Sequence, residues 1–142
     1  MIRTTIRGIR VASLALAGYW LMLFVATHLP AVPMPHAANS DKYLHFVAFA
    51  GLAFLLAWSI PTIPNHRWVN VVLALAIAII YGAVDEISQT PVGRTADVMD
   101  WVADSAGAMF GVVCYIILRH IIVTLGKARP ASPPMTLEAP LA

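Results

Sequence analysis

Five of the seven acidic residues in this 142-residue chain fall in one short stretch: Asp85, Glu86, Asp97, Asp100 and Asp104. A sixth, Asp41, stands beside Lys42 and four residues before that helix's histidine, His45. Carboxylates and imidazole can move protons as general acids and bases. Carboxylate oxygens also suit a hard divalent cation, and Lys42 and Arg94 suit the oxygens of a phosphate. His45 and Glu86 are the candidate general bases, with Asp100 as the third candidate catalytic group. Asp41, Lys42, Gln89, Arg94, Asp97 and Asp104 are the candidate ligand contacts. No nucleophile motif accompanies them, and the residues leave metal and cofactor open.

These groups sit in a chain that is 60% hydrophobic and only 11% charged, against about 25% charged in a soluble domain. An integral membrane protein is therefore expected, in which an ionisable cluster is costly and marks a site by default. A formal charge of +2 with scattered Lys and Arg argues against nucleic acid. Cys114, alone inside an apolar run, reads as a buried free thiol.

The elements that must position the cluster are apolar runs bounded by proline. Val11 to His28 exceeds the roughly 7–15-residue core of a signal peptide, and reads as a first membrane span. Pro30, Pro33 and Pro35 end it. A second helix runs from Asp41, with Ser40 or Asp41 as its N-cap, to about Ile60 before Pro61 and Pro64. A third runs from Trp68 to about Gln89 and stops at Thr90, Pro91 and Gly93. A fourth runs from Val98 to about Leu125. The predicted fold is an all-α integral membrane bundle of four transmembrane helices. Its parts are a basic cytoplasmic N-terminus (1–10), the bundle (11–125) and a disordered cytoplasmic tail (126–142).

Basic residues set the orientation. Arg3, Arg7, Arg10, Arg67, Arg119, Lys127 and Arg129 fall on one side and only Lys42 and Arg94 on the other, which predicts cytoplasmic termini. Trp58 and Trp68 then lie at the inner interface, Tyr43 and Trp101 at the outer one, and Trp20 falls mid-span. The start of helix 2, the end of helix 3 and the start of helix 4 share the outer surface, so their polar residues lie at one depth. Asp41 and His45, and likewise Asp85 and Gln89, are i, i+4 pairs on one helix face. Asp97, Asp100 and Asp104 form one stripe, continued by Gly107 and Gly111, whose small size lets another backbone approach. This predicts helix 4 at the bundle centre, with Lys42, Arg94 and His45 as partners of Asp85 and Glu86. Simpler roles compete: Asp97 and Asp100 favour a helix N-terminus, Asp41 can cap, Gln89 can be an ordinary helix end, and the whole set can be a brace. His28, His36, His66 and His120 read as interfacial or loop residues.

Asp41-Lys42-x-x-His45-Phe46-x-x-Phe49, then Asp85-Glu86-x-x-Gln89 with Gly93-Arg94, then Asp97-x-x-Asp100 and Gly107-x-x-x-Gly111, resemble the VanZ-like family over about residues 40–112. Asp104 departs from it, since the family usually has asparagine there; its carboxyl is expected either to be protonated, because desolvation disfavours the charge, or to be offset by Arg94 or Lys42. The resemblance implies a small polytopic protein of the bacterial inner, cytoplasmic membrane. Founding members are accessory to resistance against glycopeptide antibiotics, notably the lipid-tailed teicoplanin.

Two functions follow as expectations. One is an outer-leaflet polar site that binds or acts on a lipid-linked phosphate or other amphiphile, with a link to the cell envelope or glycopeptide resistance. The alternative is a structural or accessory subunit whose charges only brace the helices. A carrier fits less well, because the charges lie at one surface rather than near the midplane. Gly107 and Gly111 pack within the chain, with a homo-oligomer as the other use of that face.

Overall fold

The computed structural model describes residues 5–6, 9–29, 40–63, 66, 68–92 and 95–127. Four helices dominate: α1 (Val11–His28), α2 (Ser40–Ser59), α3 (Val69–Ser88) and α4 (Val98–Lys127). Each is long and apolar enough to cross a membrane, and in lipid a helix satisfies its own backbone polar groups. A 3₁₀ turn, Thr90–Val92, follows α3. Among the described residues, the additions to the all-α expectation are a two-residue antiparallel pair before α1, β1 (Thr5–Ile6) with β2 (Ile9–Arg10), and an isolated antiparallel bridge between Ile63 and His66.

Proline sets the ends. Leu29 caps α1 in extended conformation, φ −75° and ψ 144°, as a residue preceding proline must. The last bond of α2 runs from Ile60 N–H to the Leu56 carbonyl, and Pro61, without an N–H, follows. Two boundaries differ from the sequence expectation. The fourth helix continues through Gly126 and Lys127, because Gly126 costs a helix only about 1 kcal/mol and nothing there breaks it. The second begins at Ser40, so Asp41 lies in its first turn instead of capping it. Arg3, Arg7, Arg67, Arg94 and Arg129, the loop carrying Pro33, Pro35 and His36, Pro64, Gly93, the Ser40 side chain and the tail from residue 128 lie outside the described residues.

The hub is α2, which packs substantially against each of the other three helices; the expectation of α4 at the centre is corrected. The reason lies in glycine. A Cβ on Gly107 would collide with the Phe46 carbonyl, and one on Gly111 with the Ala50 carbonyl. Their absence lets α4 lie directly on the α2 backbone. The matched four-residue steps make these two helices parallel and fix their register. Opposite the site, the Arg10 guanidinium donates to the Ser59 carbonyl (2.7 Å) and Asn70 donates to the Ala57 carbonyl and the Tyr115 hydroxyl (3.0 and 2.9 Å). Phe49, Leu52, Ala53 and Ala57 of α2 are wholly enclosed. Leu21, Val72, Ile80, Ile87 and Leu125 stand exposed on the outside, as expected where the surrounding solvent is lipid. Trp20 packs edge-on against Tyr81, with centroids 5.0 Å apart, which accounts for a tryptophan mid-span.

Candidate functional site

The C-terminal ends of α1 and α3 and the N-terminal ends of α2 and α4 meet at one end of the bundle. His45, Asp85, Glu86, Gln89, Asp100 and Asp104 are all buried there. The shared depth read from the sequence is therefore what the fold delivers. The residues separate into three groups.

The first group is at the rim. Lys42 Nζ donates to Asp97 Oδ2 (2.9 Å) and Asp100 Oδ1 (2.7 Å), tying α2 to the start of α4. Asp97 is also the N-cap of α4, since its Oδ1 accepts the Met99 N–H at 2.8 Å. That bond satisfies one of the exposed N–H groups of the first turn. The Lys42 ammonium, with the Met99 N–H second, holds the Asp97 carboxyl below the usual aspartate range.

The second group joins three helices in the interior. His45 of α2 has Nδ1 2.9 Å from Asp104 Oδ1 of α4 and 3.9 Å from Glu86 Oε1 of α3. The register set by Gly107 and Gly111 puts Asp104 opposite His45. Glu86 Oε2 accepts the Asp97 N–H (3.0 Å), linking this group to the rim. Among the described residues, Glu86 Oε1 and Asp104 Oδ2 are buried with no hydrogen-bond donor.

The third group is built on Asp85. Its Oδ1 accepts from Thr27 (3.0 Å) and Tyr81 (3.3 Å), and its Oδ2 accepts from Gln89 Nε2 (2.9 Å). Ser88 Oγ donates to the Asp85 carbonyl (2.8 Å) and lies 3.0 Å from His28 Nε2.

This arrangement corrects the expected pairing. Asp85 takes its donors from α1 and its own helix, not from Lys42 or His45. Lys42 serves Asp97 and Asp100, so the group facing Asp104 is His45. Gln89 donates to Asp85, as their i, i+4 spacing predicts, and His45 faces Glu86 at 3.9 Å, as expected. Asp41 is exposed, and its carboxylate lies within 4.8 Å of donor atoms of His45 and Asp100. Sequence reasoning missed Thr27, His28 and Tyr81. Thr27-His28 was a readable signal, being a polar pair closing an apolar span at the end where the other polar residues gather.

A groove of about 250 Å³ lies between α1 and α2. Tyr19, Met22, Leu23, Ala26, Leu44 and Phe49 make its apolar wall, and Thr27, Asp41 and His45 line its polar part.

No curated protein and no solved structure matches the chain. The family model described as VanZ/LLP1 matches residues 9–119, well over half of the sequence and all of the polar cluster. With four apolar helices of spanning length and that match, the chain is a multi-pass membrane protein belonging to the VanZ/LLP1 family.

Proposed function

We propose that this protein holds an amphiphile from the outer leaflet, with the apolar tail in the α1–α2 groove and the polar headgroup at Asp41, Lys42 and His45. The observation that carries the reading is the groove itself. Its apolar wall runs between two membrane helices and ends on Asp41 and His45, so one molecule with a tail and a head fits both parts. A ligand bound this way loses little by leaving the bilayer, since its tail passes from lipid to apolar side chains. A lipid-linked phosphate would share Lys42 with Asp97 and Asp100 at the rim beside the groove, while His45, Glu86 and Asp100 are the groups that would transfer protons. The loose link between this family and resistance to glycopeptides agrees with such a ligand class, because teicoplanin carries a lipid tail. The orientation proposed is cytoplasmic termini with the cluster at the outer face of the inner membrane, testable by reporter fusions at both ends.

The test is native mass spectrometry of detergent-purified protein. Wild type should carry an amphiphile that Ala26→Trp and Leu44→Trp, which fill the groove, no longer carry while remaining folded. Wild type without bound amphiphile, or tryptophan variants retaining the same species, would sink the proposal. The alternative reading, a brace, is favoured for Asp85 alone, because Thr27, Tyr81 and Gln89 occupy both its oxygens.

A further inference from the structure

The central trio has the composition and spacing of a metal centre. His45 Nδ1, a Glu86 oxygen and an Asp104 oxygen lie within 4.8 Å of one another, on three different helices, and all three residues are buried. A divalent metal bound at about 2.1 Å in tetrahedral geometry needs donors about 3.4 Å apart. The two measured separations from His45 Nδ1, 2.9 Å and 3.9 Å, lie on either side of that value.

Proximity of acids and a histidine is common in structural networks, so a second observation decides. Glu86 is 6% exposed and Asp104 0%, yet Glu86 Oε1 and Asp104 Oδ2 have no donor among the described residues. A buried carboxylate oxygen without a partner is costly, and native structures rarely leave one without a reason. Two such oxygens beside one imidazole suit a positive group between them. Lys42 is held by Asp97 and Asp100. The fold also keeps space for Asp104: a Cβ on Gly82 would sit 3.2 Å from its Oδ2. The nearby trio of Asp41, His45 and Asp100 has neither property, since Asp41 is exposed and Asp100 already pairs with Lys42.

We propose that His45, Glu86 and Asp104 bind a divalent first-row metal cation, with Zn²⁺ or Mn²⁺ best suited to one imidazole nitrogen and two carboxylates. Imidazole binds as the neutral ligand, so Nδ1 faces the metal and the ring proton resides on Nε2. Three protein donors leave at least one coordination position open. This site needs only the three side chains, so it stands or falls separately from the amphiphile reading.

The experiment uses full-length protein in detergent, stripped with chelator and titrated separately with Zn²⁺, Mn²⁺ and, as a spectroscopic probe, Co²⁺. Metal content, melting temperature and visible absorption are followed. Wild type should take up one cation per chain, melt higher with Zn²⁺ or Mn²⁺, and give d–d bands with Co²⁺. Glu86→Gln and Asp104→Asn, which keep shape and lose charge, should bind at least 10-fold more weakly. Tyr115→Phe at the far end should bind as wild type does. Should either carboxamide variant fail to fold, the wild-type titration and the Co²⁺ spectrum decide alone. Wild type that takes up no cation at micromolar concentration, or carboxamide variants that bind undiminished, would overturn the proposal.

Discussion

Asp85 and Glu86 are adjacent on α3 and both buried, yet their surroundings differ. Asp85 is complete: three side-chain donors occupy its two oxygens, and one of them, Thr27, binds α3 to α1. Glu86 is incomplete: one oxygen receives the Asp97 N–H, and the other faces His45 at 3.9 Å with no hydrogen-bond donor among the described residues. One residue of advance along a helix is a turn of about 100°, enough to point neighbouring side chains into different compartments. A carboxylate that holds a fold together closes its hydrogen bonds. The metal site proposed above uses the oxygen that Glu86, and likewise Asp104, keeps open.

The contrast can be broken from either side. The largest effect is expected for Asp85→Ala, which takes the acceptor from the buried Gln89 amide and removes the Thr27 tie between α1 and α3, and should cost about 3 kcal/mol. Thermal unfolding in detergent measures it. Gly107→Ala should cost about 1–3 kcal/mol by forcing α2 from α4. Because it displaces Asp104 from His45 as well, it should lower metal uptake in step with stability. Glu86→Gln should change metal-free stability by less than about 1 kcal/mol, since the amide oxygen can still accept the Asp97 N–H. The smallest effect concerns acid. Asp97 has a folded-state pKa below its unfolded one, so its contribution is full above the usual aspartate range and is lost as pH falls through the lowered folded value. Asp97→Asn should remove that part of the acid dependence in a melting series from pH 7 to about pH 3.

Much of this was legible in the sequence. Proline and apolar run length gave the four helices. The alternation of spans placed Asp41, His45, Glu86, Asp100 and Asp104 at one depth. Gly107-x-x-x-Gly111 announced a close helix contact. Which helix it touches was not legible, because any of three apolar neighbours could meet a small-residue face; the Phe46 and Ala50 carbonyls settle it as α2. The partners of Asp85 were misread for a related reason. Charge suggested Lys42, but burial favoured neutral donors already on adjacent helices, Thr27 of α1 among them. Lys42, on a flexible stem at the rim, met the carboxylates nearest its own depth, Asp97 and Asp100.

The most direct test is the melting temperature of Glu86→Gln and Asp104→Asn beside wild type, all in detergent with chelator. If the central trio is a ligand site, each variant removes a buried charge that lacks its cation, and both should melt at or above wild type. If both melt well below wild type, these carboxylates brace the helices as Asp85 does, and the distinction drawn between the two neighbours on α3 is wrong.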